Sequence, residues 1–522
     1  MTPNRWVAVA AGFVFAIGCI VATSTPGPLL TIDDVANFGL AHALAGQGPA
    51  PMDAQAPYGP LYPALIAPGW LVGLDEGGML AWARGVNALA GALLVPVLYA
   101  LVRRLTGVDW WPALAASVAA AMLPAGMLTA SIVWSERLLW LLVAAAALAM
   151  VATVQLRTPR SAAIAVLTAI GLSAGHPRLG AAAVVVLAVT AGSLRRSGRG
   201  AVGAVAAVGA VGLWGVEMAR SAMAEAAFGS SGTYDVGDLA GRRGFDELIP
   251  AAPQHALGAL TYLLLAGTLV AAWGLVLLLR SRQGWPILAM GVAVLAVAAW
   301  FLTGVPRADR WLHGRYVEVM APILFALGLA TLDRVRVRVA LVLGFVLPVL
   351  GGVVAAWNGP GNTWASPRSP VMMLGVEVSG APYGGAVFEP GAAASVAIVV
   401  GFVLWASARR WGPGPAAGIA LLVIMWAVDS GDTTLDRLYA TTPAAEVAAV
   451  FPDDESIGEV FLDTSAVSPN LTNAFAWEAG FGRSVIEPSS TTTHHLLGAE
   501  FAPPAGSVAV VEFSGATLWR LP

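Results

Sequence analysis

Long apolar runs separated by short polar stretches set the pattern of this chain. A helix that crosses a bilayer needs about 20 apolar residues, within a range of roughly 17–25. Runs of that kind fall at 6–22, 79–101, 111–131, 137–155, 161–175, 178–193, 201–217, 258–279, 285–302, 316–332, 339–356, 390–407 and 413–428. They predict an α-helical polytopic membrane protein with about 13 transmembrane helices. The runs at 161–175 and 178–193 are short, and losing both would leave the orientation of the rest unchanged. A further stretch, 60–74, is too short for a comfortable span and follows Pro57 and Pro60, so it is expected at the interface. At the amino end, Arg5 and the apolar run to Val21 have the outline of a signal peptide. No small-x-small cleavage site stands out and many spans follow, so this run reads as a retained first span.

The polar positions between the runs supply the sidedness. Arginines gather in alternate short loops: Arg103 and Arg104; Arg157 and Arg160; Arg195, Arg196 and Arg199; Arg280 and Arg282; Arg334, Arg336 and Arg338; Arg409 and Arg410. The positive-inside rule makes those loops, with Arg5, cytoplasmic. The other loops are long and hold nearly all the carboxylates: 23–78, 218–257, 303–315, 357–389 and 430–522. The amino terminus is therefore expected in the cytoplasm and the carboxyl terminus outside. After Val428 the chain turns polar, and Phe461 to Ser465, Ser507 to Phe513 and Thr517 to Leu521 read as short strands. Two domains follow: a transmembrane domain over 1–429 and a small extracytoplasmic α/β domain over 430–522.

Composition narrows the class. Hydrophobic residues make up 57% and charged residues 11%, against about 25% charged in soluble proteins. That excludes an ordinary soluble domain and a disordered chain. A formal charge of −3 advertises no nucleic-acid surface. Cys19 is the single cysteine, which excludes an internal disulfide and a thiolate metal cluster. All 28 basic residues are arginine, a bias expected of GC-rich DNA and so of a bacterial cell membrane. Neither a phosphate-binding GxxxxGK[ST] loop nor a dinucleotide fingerprint after a strand is present, so an activated substrate must reach the outer face by another route.

The candidate chemistry lies where spans meet the outer water. Asp33 and Asp34 stand just beyond the first span. One of them caps a helix over Val35 to Leu44, or one serves as a general base mounted on a rigid helix start. In Ala56 to Trp70, Tyr58, Tyr62 and Trp70 are interfacial aromatics, and the prolines favour a broken path that is either a lipid anchor or an acceptor groove. Ser135, Glu136 and Arg137 mark an outer turn, with Glu136 either capping the next helix or facing the same cavity as Asp34. His176, in the tight turn Gly175–Arg178, is either a base or phosphate donor or an interfacial hydrogen-bonding group; His42 and the pair His494–His495 carry the same ambiguity. Arg307, Asp309, Arg310, His313, Arg315, Tyr316 and Glu318 crowd the start of another span. Arg315 and Glu318 share a helical face, and arginine matches phosphate oxygens, so this is either a lipid-phosphate site or a local ion-pair network.

The order of these parts resembles that of the GT-C-type polytopic glycosyltransferases, the bacterial mannosyltransferase-like group with the protein O-mannosyltransferases and aminoarabinose transferases. It rests on Asp33–Asp34, Tyr58 to Pro68, Ser135–Glu136–Arg137, Gln254 to Gly267, and Gly314, Arg315, Tyr316 and Glu318, over roughly residues 1–335. The resemblance implies transfer of a sugar from a polyprenyl-phosphate donor to a glycan, lipid or protein of the envelope, with inversion. It implies Asp34 or Asp33 as base, Arg315 and Arg137 on the donor phosphate, and Glu136, His176, Tyr316, Glu318, Tyr58 and Tyr62 in support. Some relatives use a divalent cation, magnesium or manganese, and others do not; Asp33 and Asp34 are the ligands offered here. Where some protein O-mannosyltransferases carry Asp-Glu, this chain has Asp-Asp, so the acceptor does not carry over. A transporter or lipid flippase and a non-catalytic envelope assembly protein are the competing classes. Matched inverted halves are not visible, and the charges gather at the rim instead of the bilayer midplane.

Overall fold

The computed structural model describes residues 2–25, 27–49, 58–228, 245–302, 314–358 and 390–440, and from 443 onward the helices and strands named below with the turn before the last two strands. The membrane part is helical: α1 (Pro3–Ala22), α2 (Ile32–Leu44), α3 (Leu61–Leu71), α4 (Glu76–Thr106), α5 (Trp110–Ala121), α6 (Pro124–Leu128), α7 (Glu136–Leu156), α8 (Pro159–Gly175), α9 (Gly180–Ser193), α10 (Arg199–Phe228), α11 (Phe245–Ala266), α12 (Thr268–Arg280), α13 (Trp285–Leu302), α14 (Ala321–Ala330), α15 (Val337–Asn358), α16 (Pro390–Trp411) and α17 (Pro413–Ala440). Among the described residues, six helices are long and apolar enough to cross a membrane, or up to eight if each bent pair is one span. Shorter apolar helical stretches have 10–17 described residues, among them Val337–Val346 of α15 and Pro413–Asp429 of α17.

Two runs that read as single spans are broken. The run at 111–131 becomes α5 and α6 with a following 3-10 turn, bent by 55°. The run at 258–279 becomes α11 and α12, bent by 118°. Thr268 holds φ 56 at that second break, a backbone turn that hydropathy cannot register because Ala266, Gly267 and Thr268 do not interrupt an apolar window. The stretch at 60–74 forms α3, which buries Tyr62, Ile66 and Trp70 and leaves Leu65 and Leu71 exposed.

Small residues bring the helices together. A Cβ on Gly274 of α12 would lie 1.9 Å from the carbonyl oxygen of Leu324 in α14, and one on Gly328 of α14 would lie 1.9 Å from that of Val270 in α12. The two backbones therefore touch at reciprocal glycines, the packing that lipid favours because apolar contact alone gives helices no preference for each other over acyl chains.

Beyond α17 come α18 (Pro443–Val450), β1 (Glu459–Leu462), α19 (Pro469–Ala479), β2 (Ser484–Val485), β3 (Thr492–Gly498), β4 (Val508–Phe513) and β5 (Ala516–Arg520). They build a five-stranded sheet in the order β2-β1-β3-β5-β4. β1 is parallel to β2 and β3, and β5 is antiparallel to β3 and β4. Leu471, Phe475 and Trp477 of α19 share a buried apolar cluster with Phe38 of α2 and with Tyr62 and Ile66 of α3. The rings of Phe38 and Trp477 lie 4.8 Å apart. The sheet-bearing part is thus docked on α3 and on α2, the helix that carries the acidic pair.

Candidate functional site

The first element of the site is the start of α2. Thr31 is its N-cap and Asp34 its third residue, and the two form a reciprocal capping box. The backbone amide and the hydroxyl of Thr31 each donate to Asp34 Oδ2 at 2.9 Å. Val133 N–H, from the turn before α7, donates to Asp34 Oδ1 at 2.8 Å. Asp34 is fully buried. Burial pushes its carboxyl up to about 7, against the lowering effect of the Thr31 and Val133 bonds, and the neighbouring charge of Asp33 adds to the rise.

The second element is the irregular segment 129–135, which interrupts the helices between α6 and α7. Bare backbone groups at membrane depth are costly unless the protein satisfies them. Here side chains do so. Asn37 Nδ2 donates to the carbonyl of Val133 and Asn87 Nδ2 to that of Ile132, both at 2.9 Å. Arg84 Nε donates to the carbonyl of Ser131 at 2.9 Å, and its Nη2 to that of Gly27 at 3.1 Å. Trp134 Nε1 donates to Thr31 Oγ1 at 2.9 Å. The turn that presents Glu136 is thereby locked to the turn that presents Asp33.

Between these elements lies a network of opposite charges. Arg315 pairs with Asp33 through Nη2, and its Nε donates to Glu136 Oε1 at 2.5 Å. Arg178 Nη2 donates to the same Glu136 oxygen at 3.2 Å. Arg315 stacks on the Trp134 ring, its Cζ 3.8 Å from the centroid, and Arg178 lies over Tyr316 at 5.1 Å. The Tyr58 hydroxyl donates to Asp33 Oδ1. Burial and the carboxylates of Asp33 and Glu136 raise the Tyr58 phenol, with Arg315 opposing, so it remains a donor. The Tyr58 ring meets that of His176 edge-on at 5.7 Å. Gly59 is pressed on the end of α8, where a Cβ would sit 2.1 Å from the carbonyl oxygen of Ala174. That close approach is what sets Tyr58 against His176.

His176 Nδ1 accepts from the backbone amide of Arg178 at 3.1 Å. Burial, with the charges of Arg178 and Arg315, holds its imidazole well below the usual range. It is a neutral ring, not a third cation beside Arg178 and Arg315. Among the described residues, some polar atoms in the network have no hydrogen-bond partner although buried: Nε and Nη1 of Arg178, and Oε2 of Glu136. Buried donors and acceptors are ordinarily satisfied, so these atoms have hydrogen-bonding capacity to spare.

The structure sorts the residues singled out from sequence. Asp33, Tyr58, Glu136, His176, Arg315 and Tyr316 come together. Asp34 stands beside them, with its oxygens committed to the capping box and to Val133. Glu318 accepts from the Tyr262 hydroxyl. Tyr62 is turned toward α4, its hydroxyl 3.5 Å from the carbonyl of Ala83. Arg137 leaves the site altogether. Its Nη1 donates to the carbonyl of Ala121 at 2.6 Å and its Nη2 lies 3.2 Å from Met127 Sδ. Successive helical residues point about 100° apart, so Glu136 faces the network while Arg137 faces the bundle interior. Arg307, Asp309, Arg310 and His313 lie outside the described residues. The histidines of His494–His495 are consecutive in β3, where side chains alternate between faces.

Arg178 and Trp134 were not picked out as site residues. In the turn Gly175–Arg178 it is the arginine, and not the histidine, whose donors are unmatched. No signal in the sequence marks Trp134 above the other tryptophans. In the acidic pair offered as cation ligands, Asp33 is engaged by Arg315 and Tyr58, while Asp34 turns to backbone and hydroxyl donors. Among the described residues, no group of three or more His, Cys, Asp or Glu is placed to hold a metal.

No family model and no curated protein matches this chain. Solved structures do. ArnT from Cupriavidus metallidurans in the apo state is 15% identical, with a TM-score of 0.54 over 99% of this chain and 98% of that one. The same protein bound to undecaprenyl phosphate is 13% identical, with a TM-score of 0.55 and the same coverage. Arabinosyltransferase EmbB from Mycobacterium smegmatis is 17% identical, covering 98% of this chain and 47% of that one at a TM-score of 0.45. The fold is that of a polytopic α-helical membrane protein of the GT-C kind.

Proposed function

We propose that this protein is a membrane glycosyltransferase that moves a sugar from a polyprenyl-phosphate donor to a hydroxyl of an envelope glycan, lipid or protein. The observation that carries this reading is the pair of buried, unpartnered guanidinium nitrogens on Arg178, in one network with the carboxylate of Asp33. A phosphate offers the acceptors that Arg178 lacks, and arginine presents planar donors suited to it. The likeness to ArnT bound to undecaprenyl phosphate supports the class of donor. In this reading the site faces outward, with the amino terminus in the cytoplasm, about 13 spans in a bacterial cell membrane, and the sheet-bearing part outside.

The chemistry is a single displacement. The acceptor hydroxyl takes the place of the Tyr58 hydroxyl as donor to Asp33, which receives its proton as the acceptor oxygen bonds to the anomeric carbon. The bond from that carbon to the phosphate oxygen breaks, and the phosphate leaves with the electron pair. Its gathering negative charge meets Arg178 and Arg315, fixed in place before reaction by Glu136, Tyr316 and Trp134. Attack from the side opposite the phosphate inverts the anomeric centre.

The test is transfer in proteoliposomes from undecaprenyl-phosphate sugars, mannose and arabinose first, to cell-envelope extract. Wild-type protein transfers label. Arg178→Ala lowers transfer by about 10²–10³-fold, the loss seen when a donor to a developing oxyanion is removed, while remaining monodisperse in detergent. Wild-type protein that neither binds undecaprenyl phosphate nor transfers from any such donor would end this reading.

A further inference from the structure

The charged groups of the site form one line of contacts, in the order Asp33, Arg315, Glu136, Arg178. In the reading above, the acceptor hydroxyl meets Asp33 at one end and the phosphate meets Arg178 at the other. The sugar ring joins the two, so it passes Arg315 and Glu136 on the way. Glu136 has an oxygen to offer there. Its Oε1 is taken by both arginines, at 2.5 Å from Arg315 Nε and 3.2 Å from Arg178 Nη2. Its Oε2 is buried without a hydrogen-bond partner. Trp134, stacked on Arg315, and Tyr316, beneath Arg178, keep both guanidiniums on Oε1.

We propose that Glu136 Oε2 accepts a hydrogen bond from a neutral ring hydroxyl of the donor sugar, which makes Glu136 a determinant of sugar specificity; this rests on the glycosyltransferase reading. Charge decides between a hydroxyl and an ammonium. The single negative charge of Glu136 is already shared by two guanidiniums, and Asp33 is paired with one of them. An ammonium on the sugar would enter as a third cation facing Arg178 and Arg315, with no unshared carboxylate in the network, among the described residues, to receive it. A hydroxyl satisfies the bare oxygen without adding charge. A site built to bond a hydroxyl also discriminates strongly against the analogue that lacks it, because its own buried group is then left unpaired.

The experiment uses the full chain in proteoliposomes. Undecaprenyl-phosphate mannose, arabinose and glucose are compared, and the one turned over fastest becomes the parent. Its monodeoxy analogues are then assayed, with wild type and with Glu136→Gln. In wild type, one deoxy position loses about 10–100-fold in kcat/KM. In Glu136→Gln the parent falls, and the ratio of parent to that same analogue collapses toward one, while the ratios for the other positions stay put. Ratios taken on one variant do not depend on the fraction of it that is folded. A second measurement needs no variant: wild type prefers the hydroxyl donor at least 10-fold over the donor bearing an ammonium at the same carbon, in line with the roughly 10-fold per 1.4 kcal/mol scale of binding differences. Glu136→Gln ratios that fall equally for every analogue, or a wild-type preference for the ammonium sugar, overturn the proposal and leave the glycosyltransferase reading standing. Absence of transfer from every donor by wild type overturns both.

Discussion

Glu136 and Arg137 are neighbours in the chain and belong to different regions of the molecule. Glu136 is held between two arginines at the end of the bundle that carries α2, with one oxygen unmatched. Arg137 is sealed inside the bundle, between glycines 91 and 126, where a Cβ would come within 2.3 and 2.4 Å of its guanidinium nitrogens. The first region has opposite charges, stacked arginines and spare hydrogen-bonding capacity. The second has a lone cation with no carboxylate paired to it among the described residues; its hydrogen bonds end on a carbonyl and a thioether, and its Nε is also unmatched. The contrast separates a charge arranged to meet a ligand from a charge arranged to join helices. Asp33 and Asp34 repeat it at smaller scale: one carboxylate faces Arg315 and Tyr58, the other closes a helix.

The widest separation is expected between the two aspartates. Asp33→Asn should lower transfer by about 10²–10⁴-fold, the range for a positioned general base, with an unchanged thermal midpoint. Asp34→Asn removes an acceptor that serves Thr31 and Val133, so it should act on folding: lower abundance, and a loss of about 1–3 kcal/mol for the groups left unsatisfied. Rates normalised to folded protein, read alongside thermal unfolding in detergent, check both. Normal transfer by Asp33→Asn, with Asp34→Asn folded but inactive, would invert the assignment.

A smaller effect follows from the carboxyl of Asp34, pushed up to about 7 by burial. A carboxyl whose folded value lies above its unfolded one binds more protons when folded, so its contribution to stability is whole below the unfolded value, about 3.9, and is lost as pH rises through about 7. The wild-type thermal midpoint should therefore fall by several degrees between about pH 5 and pH 8. Asp34→Asn, which does not titrate there, should show a flatter profile. Parallel profiles would show that the pH dependence arises elsewhere and that Asp34 is not the buried acid of the comparison.

What the sequence made legible, and what it hid, follows the same division. Scarce polar groups at span ends are conspicuous against an apolar background, so Asp33, Tyr58, Glu136 and Arg315 are legible in the sequence, and the network joins all of them. Which member of an adjacent pair faces the ligand depends on about 100° of helical rotation and on which residue falls third after the cap. A single sequence does not specify either for Asp33–Asp34 or Glu136–Arg137. Arg178 was overshadowed by the histidine two residues before it. The bend at Gly267–Thr268 leaves no mark on hydropathy, because a kink changes the direction of a helix and not the polarity of its residues. The polar run Thr491–His495 gave no strand signal, yet Thr492–Gly498 is the strand that joins the parallel and antiparallel parts of the sheet.

The smallest effect is the sharpest test of the contrast. Arg137→Met keeps an unbranched side chain of similar length and removes the charge. If Arg137 only joins helices, transfer per folded molecule should stay within about two-fold of wild type, since surroundings that do not touch the reacting groups shift rates little. Stability has opposing contributions. The substitution leaves the carbonyl of Ala121 without its donor, which costs about 1–3 kcal/mol. It also removes a buried cation whose Nε has no partner, and apolar replacement of buried charge is often neutral or stabilising by about 1–4 kcal/mol. The thermal midpoint should therefore move little, or rise. A fall in transfer comparable to that of Arg178→Ala, in protein of unchanged midpoint, would place Arg137 in the working site and erase the boundary drawn between it and Glu136.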